Sequence, residues 1–283
     1  MLASNDFTPY IIINGNLQPA DNAGLPVNDL GLLRGYGVFD FWVMANGIPL
    51  FFEDHWQRLQ QSAAALLLPL PFTREELLQQ VAGLYEKMPY AYAGVRVTVT
   101  GGSSADGYSL AHIPNYLITL QPQAMPHGNY GEAALALKTF SYQRQLPQVK
   151  TIDYLMGIRL LQMAKHEGYN EVLYQQDGVI SECPRANIFV LTRNEVLITP
   201  HAGILQGVTR SRVLQKAAGL MAVEVCPLTY DTLINAVEVF TTSTTRVMQR
   251  AGRIDQTALP ATPHPLARQL YSLLLHDLQA AMA

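Results

Sequence analysis

The sequence predicts an α+β protein of two mixed strand-and-helix domains, on three observations. Short alternating apolar runs bounded by Asn-Gly or Asp-Gly pairs recur through the chain, as half-buried strands joined by tight turns do. Between them lie stretches with apolar residues at helical spacing. A segment rich in Pro, Gln, Gly and Met, 121–131, interrupts the pattern and reads as a linker. The 283 residues suit one large or two ordinary domains. The expected division is 1–120, the linker 121–131, and 132–283, with the chemistry concentrated in the last part.

Tyr10 to Ile13 and the run from Leu17 flank Asn14-Gly15, whose tolerance of positive φ suits a hairpin. Val38 to Met44 and Ile48 to Phe52 flank Ala45-Asn46-Gly47 in the same way. Glu53 to Leu68 reads as a helix, with Trp56, Leu59, Ala63 and Leu66 on one stripe. Thr73 with Glu76 is a capping box for a helix through Tyr85. Ala93 to Thr100 and Tyr116 to Gln121 are β-rich runs around a Gly/Ser loop. Beyond the linker, Ala133 to Tyr142 alternates as a strand. Tyr154 to His166 reads as a helix closed by Gly168. Asp177-Gly178 and Arg193-Asn194 punctuate three short strands. Val208 to Gly219 is helical, Val237 to Thr242 a strand, and Pro265 to Ala283 an amphipathic helix.

Composition excludes several functions. Net charge is −3 with no basic run, so nucleic acid is not an expected partner. The most apolar stretch, Ala63 to Phe72, is broken by Pro69 and Pro71 and is far shorter than the roughly 18 residues of a membrane span. Met1 to Tyr10 has neither a basic nor an apolar region of the secretory kind, so no signal peptide is expected. Cys183 and Cys226 form neither a metal spacing nor a disulfide framework, which fits a reduced, cytoplasmic protein without a metal. Charged residues make up 14%, against about 25% in ordinary soluble domains. Either a partner subunit covers some surface, or the surface is polar but uncharged.

Three segments carry chemistry. Lys150 follows an apolar strand and precedes a helix, a position from which a lysine can be desolvated, lose its charge and form an imine with an aldehyde. Glu182 ends a strand after the Asp177-Gly178 turn and can face a pyridine nitrogen, keeping it protonated. Gly207-Val208-Thr209 opens a helix whose unpaired amides form an anion site, with Ser243-Thr244-Thr245 as a second hydroxyl-rich turn and Arg58 as a guanidinium for the same phosphate. A lysine, a carboxylate and a phosphate cup are the equipment for imine chemistry on pyridoxal 5'-phosphate. No Gly-x-Ser-x-Gly elbow or nucleotide fingerprint competes with this reading.

Almost the whole chain resembles the class IV, or fold type IV, pyridoxal-phosphate aminotransferases. That family holds branched-chain and D-amino-acid aminotransferases and 4-amino-4-deoxychorismate lyases. The resemblance runs in order through Arg34-Gly35-Tyr36-Gly37-Val38-Phe39, His55-x-x-Arg58-Leu59, Lys150-Thr151-x-Asp153-Tyr154-Leu155 and Glu182-x-x-x-x-Asn187-x-Phe189. It continues through Gly203-Ile204-Leu205-x-Gly207-Val208-Thr209-Arg210 and Val239-Phe240 to Thr244. By this resemblance Lys150 is the Schiff-base lysine and Glu182 the ring-nitrogen partner. Leu205 packs on the ring and Tyr154 lies near its oxygen. Gly207, Val208, Thr209, Ser243, Thr244 and Arg58 hold phosphate. Arg34, Phe39, Arg96, Tyr108 and Arg185 are the residues expected near substrate. The family fold implies an active site between two domains, in a homodimer whose partner lends residues to each site.

The implied reaction moves an amino group between an amino acid and a 2-oxo acid through the Lys150 Schiff base. The alternative is the lyase that releases 4-aminobenzoate and pyruvate. Two departures bear on substrate. Asp106 stands where the D-amino-acid enzymes and the lyases tend to carry arginine. Gly94 stands where branched-chain enzymes carry a tyrosine two residues before the arginine, here Arg96.

Overall fold

The computed structural model describes residues 9–126 and 128–282, which fall into two compact units. The first holds the described residues up to Met125 together with Val149–Asp153. The second holds the described residues of Pro126–Gln148 and Tyr154–Ala281. Assigning all of 132–283 to one domain therefore needs a correction: the segment bearing Lys150 belongs to the first unit. The cause is backbone pairing, since the amide of Phe39 donates to the Lys150 carbonyl (2.9 Å) and that of Ile152 to the Gly37 carbonyl (3.0 Å).

In the first unit the strands are β1 (Tyr10–Ile13), β2 (Asn16–Pro19), β3 (Gly37–Ala45), β4 (Ile48–Pro49), β5 (Tyr92–Thr100) and β6 (Tyr116–Pro122). They form one antiparallel sheet in the order β2-β1-β6-β5-β3-β4. Both expected hairpins form. Asn14 and Gly15, then Asn46 and Gly47, take the left-handed φ that a two-residue turn requires. The second hairpin is shorter than expected, because Phe51 turns to φ 53° and Phe52 already begins a helix. The helices are α1 (Leu30–Arg34), which the sequence reading did not pick out, α2 (Phe52–Ala65) and α3 (Arg74–Lys87). The Thr73–Glu76 capping box is present in both directions. Val38, Trp42 and Met44 alternate toward a core shared with Leu59, Ala63 and Leu77. The buried face of α2 is wider than its apolar stripe, because His55, Arg58 and Ser62 are buried on it as well.

The second unit is built on a mixed sheet. Its strands are β7 (Leu135–Ser141), β8 (Glu171–Gln176), β9 (Val179–Ile180), β10 (Glu182–Cys183), β11 (Ala186–Leu191), β12 (Val196–Thr199), β13 (Ala222–Val225), β14 (Leu228–Thr229), β15 (Glu238–Ser243), β16 (Val247–Ile254) and β17 (Thr257–Ala258). The main path is β13-β12-β11-β15-β16-β7-β8-β9-β14, with β10 on β11 and β17 on β16. Pairs β12–β13, β16–β7 and β7–β8 are parallel and the rest antiparallel. The helices are α4 (Leu155–His166), α5 (Val208–Ala217), α6 (Tyr230–Ile234) and α7 (Pro265–Ala280). Ile188, Val190 and Val239 point into one core, while Phe189 and Phe240 stack at 5.2 Å on the opposite face. Asn187 and Thr242, directly paired, share that opposite face. Among the described residues no helix is long and apolar enough to cross a membrane.

Candidate active site

In the first unit the lysine is fixed through its backbone. The Lys150 amide donates to Ser62 Oγ (3.1 Å), its carbonyl accepts from Phe39, and Thr151 bridges Val38. Gly37 permits this approach, since a Cβ there would lie 2.9 Å from Ile152 Cδ1 and 2.7 Å from the Val99 carbonyl oxygen. With the backbone held, the side chain places Nζ 4.5 Å from the centre of the Phe39 ring. The Arg96 guanidinium lies 3.8 Å from the same ring. Two cations thus share one aromatic platform, a favourable arrangement for each through the ring quadrupole.

On the other face of β3, Asp40 is wholly buried and accepts from Arg58 Nε and Nη2, both at 2.8 Å. His55 Nδ1 lies 2.8 Å from Asp40 Oδ1, a bond in which the imidazole donates because a carboxylate only accepts. Burial opposes ionisation of Asp40. The Arg58 charge and its hydrogen bonds, with the bond from His55, outweigh burial and hold the carboxyl well below the usual carboxylate range. Burial pushes the His55 imidazole down, against the raising effect of Asp40. Arg58 is therefore not a solvated helix residue; its orientation is set by Asp40.

In the second unit Glu182 is 4% exposed and receives donors on both oxygens. Arg144 binds Oε1 through Nε (2.9 Å) and Nη2 (2.8 Å). The Leu205 amide donates to Oε2 (2.8 Å), and Asn187 Nδ2 reaches it at 3.5 Å while also donating to the Leu205 carbonyl (2.8 Å). Glu182 and Asn187 face each other across β10–β11, so strand pairing delivers both to the loop that precedes α5. That loop is braced by buried Arg210, whose Nη1 donates to Gln206 Oε1 and Nη2 to the Pro200 carbonyl, both at 2.9 Å.

Gly207 caps α5 with no side-chain hydrogen bond to the helix. The first amides of the helix, from Val208 and Thr209, have no partner within the helix, and the dipole adds positive potential there. A Cβ at Gly207 would overlap Asn187 Oδ1, so glycine is required although its φ of −70° is ordinary. Gly207→Ala should displace Asn187 and raise the dissociation constant of pyridoxal phosphate roughly tenfold, on the scale of 1–3 kcal/mol for overpacking. Equilibrium dialysis checks this, and unchanged affinity would contradict it.

The Ser243-Thr244-Thr245 turn joins β15 to β16, and Ser243 and Thr244 are half-buried. It closes with Val247 at φ 55°, a strained conformation for a β-branched residue. Next to it, Thr242 Oγ1 is buried without a hydrogen-bond partner, on the same face as Asn187. A buried hydroxyl left unpaired is costly and rare. Together with the uncapped helix start, it fits a strand end shaped for a polar ligand. The residues present therefore fit an anionic cofactor.

The remaining expected residues are placed differently. Tyr154 sits at the N-cap of α4, half-buried. Arg185 lies on the β10–β11 turn, where its guanidinium reaches Glu171 (3.8 Å), and its side chain is largely exposed. Arg34, in the last turn of α1, bonds the Leu33 carbonyl (3.1 Å) near Gly107. Tyr108 is 82% exposed. Beside it, Asp106 accepts from Ser109 Oγ (2.6 Å), the Ser109 and Tyr108 amides, and Ser104 Oγ. Those bonds, led by the Ser109 hydroxyl, hold its carboxyl well below the usual range; it works as the brace of its own loop. Arg144, Asn187, Asp40 and His55 were not singled out as site residues. For Asp40 a signal existed: a carboxylate at an inward position of the alternation Val38-x-Asp40-x-Trp42. Arg144 lies in the irregular stretch between β7 and Lys150, where no periodicity marks it. Among the described residues no group of His, Cys, Asp and Glu is arranged to hold a metal.

The first unit thus holds a lysine on an aromatic platform, and the second a clamped carboxylate and an uncapped helix start. The sequence pattern of the class IV aminotransferases matches residues 37–254, and the chain belongs to that family. It is 27% identical over 279 residues to a D-alanine aminotransferase of Bacillus licheniformis, covering 96% of this chain and 98% of the relative. An aminodeoxychorismate lyase of Bacillus subtilis is 26% identical over 225 residues, 73% of each chain. The solved branched-chain aminotransferase of Escherichia coli superposes with a TM-score of 0.86 at 23% identity, covering 95% of this chain and 94% of its own. At that identity the likeness speaks for the fold, which is fold type IV.

Proposed function

We propose that the chain is a pyridoxal-phosphate-dependent aminotransferase exchanging an amino group between an amino acid and a 2-oxo acid. The observation that carries this reading is Glu182, fixed by Arg144 and the Leu205 amide as a pure acceptor beside the uncapped start of α5. When bound, the cofactor supplies an electron sink for the carbanion at the substrate's Cα. Lys150 would hold the cofactor and, once released, would act as general base for the proton at the substrate's Cα and then as general acid, aided by proximity. Glu182 holds a proton at the ring nitrogen. The amides of Val208 and Thr209, with Ser243, Thr244 and Arg58, bind the phosphate, and Leu205 packs on the ring. On this reading the protein works as a homodimer in the cytoplasm, a reducing compartment in which Cys183 and Cys226 stay free.

Glu182→Gln should lower kcat by roughly 10²–10³, the scale of one preorganised electrostatic group, and should also cost stability, because Arg144 loses its charged partner. Arg144→Met should lower it by about 10–100-fold through loss of a charge-assisted bond, with partial recovery in Arg144→Lys. Single-turnover kinetics checks both, and an Arg144→Met enzyme with wild-type kcat would remove Arg144 from the site.

The test of the function is a visible spectrum of purified protein as single amino acids are added. Conversion of the lysine-bound band to the pyridoxamine form by an L- or D-amino acid establishes transamination and names the donor. A band that no amino acid shifts overturns it in favour of the second reading, the aminodeoxychorismate lyase. The Bacillus subtilis relative supports that alternative.

A further inference from the structure

Gly94 has an ordinary backbone that any residue could adopt, yet a side chain there is excluded. A Cβ built on it would lie 2.6 Å from Phe41 Cε2, nearer still to Cζ, and 3.2 Å from Gln123 Cγ. The Phe41 ring rests where a residue 94 side chain would emerge. In the β3–β5 register Phe41 pairs with Arg96 and Val43 with Gly94, so the ring leans diagonally along the ladder. Phe39, Phe41, Gly94, Arg96 and Thr98 all lie on one face of the sheet, opposite the core face of Val38, Trp42, Val95 and Val97. Along that face run Lys150 Nζ, the Phe39 ring, the Arg96 guanidinium (its Nε 3.4 Å from Thr98 Oγ1) and then the Phe41 ring.

We propose that the Phe41–Gly94 pair is the specificity-determining wall for the substrate side chain, admitting short aliphatic amino acids and rejecting aromatic ones. The inference rests on the aminotransferase reading and deepens it. The face beside Lys150, along which the side chain of an amino acid held there would extend, carries Phe39 and Phe41, with the Arg96 guanidinium on the Phe39 ring. Two rings offer apolar contact to a few carbons. The second ring is held against β5 by the absence of a side chain at 94, and it occupies volume that a longer substrate would need. It carries no hydroxyl, so this wall discriminates by size and polarity and donates no hydrogen bond.

The experiment compares kcat/KM for alanine, valine and phenylalanine, with their 2-oxo acids as acceptors, in wild type, Phe41→Ala, Gly94→Ala and the double variant. Removing the ring should shift the ratio of phenylalanine to valine at least about tenfold toward phenylalanine, within the 10–200-fold range of a pocket-size change. Gly94→Ala should shift selectivity by displacing the ring, and should have no further effect once Phe41 is alanine, the non-additivity expected of residues in contact. The visible band and thermal midpoint of each variant report cofactor loading and folding separately from selectivity. Equal loss for all three substrates, or a Gly94→Ala effect that simply adds to Phe41→Ala, overturns the proposal. A wild type that shows the lysine-bound band and transfers amino groups, with an unmoved ratio in Phe41→Ala, overturns this inference alone. A wild type with neither overturns the functional reading together with it.

Discussion

Replacing Lys150 with alanine is expected to remove transamination, lowering kcat by about 10⁴ or more, while leaving the fold intact. Positioned proton transfer alone is worth roughly 10²–10⁴, and the lysine also supplies the covalent attachment. The fold is spared because it uses the Lys150 backbone: the amide bonds Ser62 Oγ and the carbonyl accepts from Phe39, contacts that alanine keeps. Among the contacts alanine removes is that of Nζ with the Phe39 ring, worth about 0.5–1 kcal/mol at a partly exposed site. The variant should lose the visible band of lysine-bound cofactor and keep its urea midpoint nearly unchanged. Recovery of some turnover by an added primary amine would strengthen the assignment. Retention of more than a tenth of wild-type kcat would place the attachment elsewhere.

Asp40→Ala has the largest expected effect on stability. It leaves the Arg58 guanidinium and the His55 ring buried on α2 without their shared acceptor, and breaking one side of a buried ion pair costs about 3–5 kcal/mol. Against a typical total of 5–15 kcal/mol, that is a large fraction of the protein's stability. Asp40→Asn should cost less, because the amide oxygen still accepts. The wild-type protein should show the same network through its acid sensitivity. His55 has a folded pKa below its unfolded value, so the unfolded chain takes up its proton first and stability begins to fall below about pH 6.5. Asp40 is likewise depressed, so its contribution is complete above about pH 4 and is lost as pH falls further. Urea midpoints at pH 7, 5.5 and 4 should decline in that order, and the decline should be no shallower in Asp40→Asn, because losing the carboxylate charge lowers the His55 imidazole further. A flat profile across this range would show that the cluster does not control acid stability.

The elements with strong local signals were legible. The Asn14-Gly15 and Asn46-Gly47 hairpins, the Thr73 capping box and the α5 start at Gly207 each depend on a few adjacent residues whose backbone preferences are intrinsic. Helix α1 leaves no signal in the sequence because five residues give too little periodicity, and its Asp29 cap is engaged by Thr100 and Asn115, far away in sequence. The burial of polar residues on α2 has no sequence signal for a related reason. An apolar stripe identifies one buried face, whereas His55, Arg58 and Ser62 are buried only because Asp40 and the Lys150 backbone provide their partners.

The sequence by itself determined the family: a lysine, a carboxylate and a glycine-led helix start stand in an order and spacing that match the class IV aminotransferases. Those signals are local, so each can be read where it stands. Tertiary structure alone decided how the parts are held. It put the Lys150 segment with β3, set Arg144 and Leu205 on Glu182, and turned Arg58 onto Asp40. It also put the Phe41 ring in the space left by Gly94. Most of these pairings join residues more than fifteen positions apart, and hydrogen bonding and steric exclusion act across space without leaving a periodicity in the chain.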